Sequence, residues 1–315
     1  METTSQEFRE PIVAGLWRLF RFLPVLSWSI CAFALGVGLA IGSSGNGSLN
    51  WRHVALIVLA GATLQGFTAH AYNDLEDWRS GTDRESPGIL SGGTGVIRDG
   101  LLGEGSLSYI GLAGLLLPVM AGFYFSIQRG PLVFVFLLVG IWAGLAYTLP
   151  PFRLAYRPLL GEWLAAFPAI LSCTVGSFFV LTGNVTLQAF TVGTLHGLFS
   201  LGWLMQHHLS DLFADLNASP TKLTTAAFAY KRWGTSGARL TPAAYFTLAA
   251  LGGLMGGIFL NAVFFLAVVP AFLCIYLAIT TNPLDVHSIT GREKAMIAIT
   301  TGHAAALAVL LGLGY

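Results

Sequence analysis

The chain has 315 residues, of which 55% are hydrophobic and 10% charged, against roughly 25% charged in a soluble domain. With a mean hydropathy of +0.71 and a formal net charge of +1, this composition excludes a soluble globular enzyme, a disordered chain and a basic nucleic-acid binder, and points to an integral membrane protein. Cys31, Cys173 and Cys274 fall in apolar stretches without paired spacing and read as small buried hydrophobes, not as disulfides or metal ligands.

In chain order, residues 1–21 read as a cytoplasmic lead-in. Met1 to Glu10 is polar with both charge signs, unlike a signal peptide, and Ile12 to Arg21 is amphipathic, with Arg18 and Arg21 placed at the headgroups. A span needs about 20 apolar residues. The remainder divides into nine candidates, at 22–42, 53–72, 104–127, 131–149, 160–182, 187–209, 240–258, 259–280 and 294–313, and the whole of 1–315 reads as one transmembrane domain. With a cytoplasmic N-terminus, all of the 16 Lys and Arg except Arg52 and Arg129 fall on the inside, as the positive-inside rule requires.

The second span ends in Y-N-D-L-E-D-W-R-S-G-T-D, from Tyr72 to Asp83, which is dense acid in a chain poor in charge. At helical spacing Asn73, Asp74 and Asp77 share a face, and Gly81 lets the chain turn so that Asp83 comes back toward them. His70, one turn before Asp74, could orient that carboxylate, although a lone His at a helix end is more often an interfacial residue. Next comes R-E-S-P-G-I-L-S-G-G-T-G-V-I-R-D-G, from Arg84 to Gly100, whose glycines around Ser91 offer backbone N–H groups to a phosphate. The fourth span closes on Tyr147 and the Pro150-Pro151 pair, followed by Arg153, Tyr156, Arg157 and Glu162. This segment reads as a lining of the same site, because Glu162 opens a span and needs a cation or a ligand. The sixth span ends in H-H-L-S-D-L-F-A-D, with His207, Asp211 and Asp215 in one helical row, and Lys222 is the nearest base. Two acidic clusters repel unless cations lie between them. Mg²⁺ fits, because it takes a few carboxylates and completes its shell from water and substrate phosphates. The last inside segment, with Asp285, His287, Arg292 and Glu293, reads as a solvated turn.

These motifs resemble the UbiA superfamily of intramembrane prenyltransferases: N-D-x-x-D at Asn73 to Asp77, G-T-D at Gly81 to Asp83 and D-x-x-x-D at Asp211 to Asp215. Y-T-x-P-P-F-x-L-x-Y-R at Tyr147 to Arg157, with Gly161-Glu162 and S-G-G-T-G-V-I at Ser91 to Ile97, is similar to the branch that prenylates 1,4-dihydroxy-2-naphthoate in menaquinone synthesis. The resemblance implies an all-α bundle of nine transmembrane helices around a central cavity, with a cytoplasmic-side Mg²⁺ and diphosphate site. It implies metal ligation by Asn73, Asp74, Asp77, Asp83, Asp211 and Asp215, with Asp74, Asp77, Asp211 and Asp215 catalytic. Substrate contacts would come from Arg84, Ser91, Arg153, Tyr147, Tyr156, Glu162 and Lys222. The expected reaction ionises an allylic isoprenyl diphosphate and transfers the prenyl group to a small aromatic acceptor.

The chain departs from that branch near the acceptor's place. His207-His208 stand where two asparagines are usual, Lys222-Leu223-Thr224 replaces a basic pair and threonine, and Arg157 to Glu162 is one residue longer. The alternative is therefore a membrane terpene cyclase of the same superfamily, whose cation is captured by its own chain. A transporter fits less well, because the acids cluster at one face and no inverted repeat is visible.

Overall fold

The computed structural model describes residues 9–44, 49–86, 90 and 92–315. Residues 1–8 of the expected lead-in, and Ser91, lie outside them. All regular structure among the described residues is helical, and no strand occurs there. Helix α1 (Arg9–Phe20) stops at Arg21, whose φ of 46° is left-handed. The chain then re-enters helix as α2, residues 22–43, with a π-turn at Leu26–Ile30. There follow α3 (Trp51–Ser80), α4 (Glu104–Arg129), α5 (Leu132–Ala146), α6 (Glu162–Thr182), α7 (Leu187–Ser210), α8 (Thr225–Phe259, broken at Gly234), α9 (Ala262–Ile279) and α10 (Val286–Gly312).

Seven helical stretches among the described residues are long and apolar enough to cross a membrane: Ile12–Ser43, α3, α4, α6, α8, α9 and α10. The protein is an integral membrane protein, as its composition requires. Helix α5 is equally apolar but only 15 residues long. Helix α7 has 24 residues and is enclosed by the others, with every residue from Leu195 to Gln206 buried. A helix covered on all sides is the axis of a bundle. It packs on α8, α6, α10 and α2.

Small residues set the closest approaches. A Cβ added at Gly38 would stand 2.3 Å from the carbonyl oxygen of Ala308, and one at Gly42 would stand 2.1 Å from that of Leu311. The two glycines lie one turn apart on α2, so this small-xxx-small stripe lets α10 approach backbone to backbone. The turns that follow α3 and α7 are stitched together on one side of the bundle. The Ser219 N–H donates to the Ser80 carbonyl at 2.8 Å, and the short helix Leu212–Asn217 packs on the helical turn Thr82–Glu85. Segments separated by some 130 residues thereby meet where both acidic motifs end.

Gly38→Val should lower stability by about 1–3 kcal/mol, the usual cost of overpacking. Gly302→Ala, whose added Cβ meets nothing within 4 Å, should leave stability unchanged or slightly raised. Thermal unfolding of both variants in detergent checks the contrast; equal melting temperatures would remove the stripe from the account.

Candidate active site

A cavity of about 470 Å³ opens among α2, α3, α5, α6, α7 and α10, a size in the usual range for small-molecule sites. It is amphipathic along its length. Its polar end carries Arg21, Asn73, Asp77, Asp83, His207, His208, Asp211 and Lys222. Its apolar walls carry Trp28, Leu64, Ile170, Cys173, Trp203 and Leu204. The helices explain the gradient: Asp77 and Asp211 lie at the C-terminal ends of α3 and α7, while Leu64 and Trp203 lie further up the same helices.

Asp77 is the most heavily engaged group. Its side chain, 4% exposed, accepts from Lys222 Nζ at 2.8 Å, from Asn73 Nδ2 at 3.0 Å and from the Tyr156 hydroxyl at 3.4 Å. Lys222 is itself buried and also lies 3.6 Å from Asp215 Oδ1. Burial alone would pull its ammonium down, but Asp215 and Asp77 hold it well above the ordinary lysine value, so it stays charged. Tyr156 is pushed up to about 12, first by burial and then by the Asp77 charge. Asp211 accepts from the Ser86 hydroxyl at 2.5 Å across the two motifs. Asp215 is fully buried, and neither of its carboxylate oxygens has a hydrogen-bond partner.

Asp74, one position round the helix from Asn73, turns away from the cavity. It accepts from Arg21 at 2.6 Å, from the Thr94 backbone N–H at 3.1 Å and from the Thr94 hydroxyl. Gly93 and Thr94 of the glycine-rich segment thus strap the end of α3. Gly93, at φ 67°, passes so close to Asp83 that a Cβ would stand 2.0 Å from its carboxylate oxygen, and only glycine fits there. Asp83 is pushed up to about 9, by burial first and then by the charges of Asp77 and Asp74.

Among the sequence-predicted residues, Asn73, Asp77, Asp83, Asp211, Lys222 and Tyr147 line the cavity. Asp215 stands behind Lys222, and Tyr156 behind Asp77. Arg153 does not line it. Its guanidinium pairs with Glu76 at 2.9 Å and lies over the Tyr156 ring. Arg84 is exposed and packs over Trp78. Glu162 is buried at the start of α6, outside the cavity wall. His70 binds the Leu19 carbonyl at 3.2 Å rather than Asp74.

Two participants differ from the sequence reading. Arg21 lines the cavity and pairs with Asp74, instead of lying at the headgroups, because the left-handed turn between α1 and α2 swings it inward. Glu293 is 1% exposed, not solvated, and pairs with His207 at 2.8 Å.

Among the described residues no three His, Cys, Asp or Glu side chains form a metal cage by themselves. The open arrangement still suits a cation that takes only a few protein ligands. The oxygens of Asp215, which accept no hydrogen bond, and a carboxyl group at Asp83 driven toward its neutral form by burial and by its acidic neighbours, are what such a cation would relieve.

No family model matches the chain, and no curated protein sequence does. Solved structures do. A UbiA homolog from Archaeoglobus fulgidus bound to GPP and Mg²⁺ superposes with a TM-score of 0.67 at 15% identity, covering 93% of this chain and 99% of its own. A UbiA homolog from Archaeoglobus fulgidus bound to DMAPP and Mg²⁺ gives 0.63 at 14% identity, covering 92% and 99%. An apo UbiA homolog from Aeropyrum pernix K1 gives 0.59 at 15% identity, covering 92% and 96%. The protein is therefore a helical membrane protein with the fold seen in these UbiA homologs, over nearly its whole length.

Lys222→Met would leave Asp77 and Asp215 buried against each other without their shared cation. It should cost about 3–5 kcal/mol, the range for breaking a buried ion pair on one side. Chemical unfolding in detergent micelles reads this directly, and a loss below 1 kcal/mol would mean that Lys222 is not what balances the two acids.

Proposed function

We propose that the protein is a member of the UbiA superfamily, a Mg²⁺-dependent enzyme that ionises an allylic isoprenyl diphosphate and passes the prenyl group to an aromatic acceptor of the naphthoate or quinone-precursor kind. The observation that carries this reading is the amphipathic cavity, with Asp77, Asp83, Asp211 and Lys222 at one end and aliphatic and indole walls along the rest. A prenyl diphosphate has the same division into a charged head and an apolar tail. The GPP and DMAPP bound in the Archaeoglobus homologs are ligands of this class. In this reading one domain spans residues 1–315, α5 and α7 complete nine spans, and the site opens to the cytoplasm.

Asn73, Asp77, Asp83, Asp211 and Asp215 would hold the cation, with Asp74 fixing the α3 end through Arg21 and Thr94. Bound Mg²⁺ would neutralise the charge that builds on the departing diphosphate. The chain's own groups do the rest. Lys222 and Arg21 supply fixed positive charge at the mouth, and Lys222 holds Asp77 in place. The Trp28 and Trp203 rings, 5.4 Å apart and edge to face, line the wall where the allylic cation would form. Indole faces stabilise cations by up to about 2 kcal/mol when desolvated. The apolar wall keeps water from quenching the cation.

The same wall suits a terpene cyclase, in which the cation is trapped within its own chain. Mass spectrometry of products from purified protein with geranylgeranyl diphosphate and Mg²⁺, with and without dihydroxynaphthoate, separates the two. We expect a prenylated aromatic that forms only with acceptor, whereas a terpene formed equally well without it would establish the cyclase. Asp77→Ala and Asp211→Ala should each abolish diphosphate release while still folding; turnover in either would exclude that carboxylate from the site.

A further inference from the structure

The metal and diphosphate contacts proposed above leave one pair of groups at the mouth unused. His207 lines the cavity with its side chain 21% exposed, and its Nδ1 lies 2.8 Å from Glu293 Oε1. Glu293 is buried on α10, a helix that contributes nothing to either acidic motif, and its second carboxylate oxygen has no partner. When the neutral imidazole gives its Nδ1–H to this carboxylate, the lone pair of the ring lies on Nε2. Among the described residues no other hydrogen bond claims Nε2.

Position gives this lone pair a use. Trp203, His207 and Asp211 occupy successive turns of α7 and all line the cavity. The row therefore runs from the indole wall, through the imidazole, to the carboxylate end, at roughly 6 Å per four residues. The carbon that is released from diphosphate is one bond from it, so a nucleophile attacking that carbon passes beside the middle residue of the row.

We propose that His207, oriented by Glu293, is the general base that activates a phenolic acceptor; this rests on the prenyl-transfer reading above. Nε2 takes the proton of the acceptor's hydroxyl group. The oxygen's electron pair feeds into the ring, and the ortho or para carbon forms the new C–C bond to the prenyl C1. The C1–O bond breaks and the diphosphate departs with its electron pair. The immediate products are a neutral prenylated dienone, diphosphate and the imidazolium, whose charge Glu293 balances. His207 acts on the substrate; Glu293 is a positioning residue. The site therefore selects acceptors that carry an ionisable ring hydroxyl group.

The test uses full-length protein in detergent with geranylgeranyl diphosphate, Mg²⁺ and dihydroxynaphthoate. His207→Ala should lower kcat for transfer by roughly 10²–10⁴-fold, the range for general-base catalysis. The KM for the diphosphate should stay within threefold of wild type, and added imidazole should restore a measurable part of the rate. His207→Gln serves if the alanine variant does not fold. Glu293→Gln should lower kcat by about 10–100-fold, as loss of an orienting carboxylate does elsewhere. Transfer by His207→Ala at the wild-type rate would overturn the proposal, as would a loss that imidazole does not relieve together with lost diphosphate binding. Wild-type protein that consumes the diphosphate equally well without acceptor would overturn the base assignment and leave the metal-site reading standing. Wild-type protein that consumes none would overturn both.

Discussion

The structure depends on how a crowd of negative charge is kept where water is scarce. Asp77, Asp83, Asp211 and Asp215 meet where the ends of α3 and α7 are stitched together, with Lys222 between Asp77 and Asp215. Removing charges from water costs several kcal/mol per ion unless geometry and partners compensate. One ammonium does not balance four carboxyl groups: Asp83 is raised, by burial first and then by the neighbouring acids, and neither oxygen of Asp215 accepts a hydrogen bond. The surrounding devices all serve to hold this arrangement. The Ser219–Ser80 bond, the Ser86 hydroxyl on Asp211 and the Gly93 strap fix the acids at distances that their own charges oppose.

Much of this was legible in the sequence because its signals are local. Seven of the nine expected spans follow from runs of apolar residues, the two aspartate motifs from spacing, and the left-handed Gly81 (φ 95°) from the turn that must return Asp83. The role of Lys222 was half legible. Its nearness to Asp215 suggested the mouth, but its bond to Asp77, 145 residues away, has no local signature. Helical periodicity also grouped Asp74 with Asp77, and three residues of α-helix leave about 60° between them. In open solvent both would share a face. Against a crowded wall that angle sends Asp77 into the cavity and Asp74 to Arg21 and the strap.

Glu293 failed to show for a related reason. G-R-E-K near the start of a span reads as a polar edge, and Arg292 and Lys294 beside it reinforce that impression. Only the packing of α10 on α7 turns Glu293 inward to His207. Likewise Arg153 and Arg84, assigned to diphosphate by proximity, are drawn to partners nearer still, Glu76 and the Trp78 ring. Sequence spacing tells which face a residue occupies. It does not tell which of several opposite charges will win it, because that competition is settled by the other helices.

Helix direction adds a constraint to the site. Both aspartate motifs sit at C-terminal helix ends, where the exposed carbonyls carry about half a negative charge each. Anion sites are commonly built at the opposite end, where N–H groups point outward. Here the glycine-rich strap could have supplied such groups, but its Thr94 N–H is already given to Asp74. Carboxylates, helix ends and an anionic head group would all repel at the mouth, and Arg21 and Lys222 are the only strong bases lining it among the described residues. The protein's contribution is thus an excess of negative charge, held rigidly beside an apolar channel. That arrangement attracts a cation and repels a bare anion, so in the proposed reading the anionic head group would enter together with its cation.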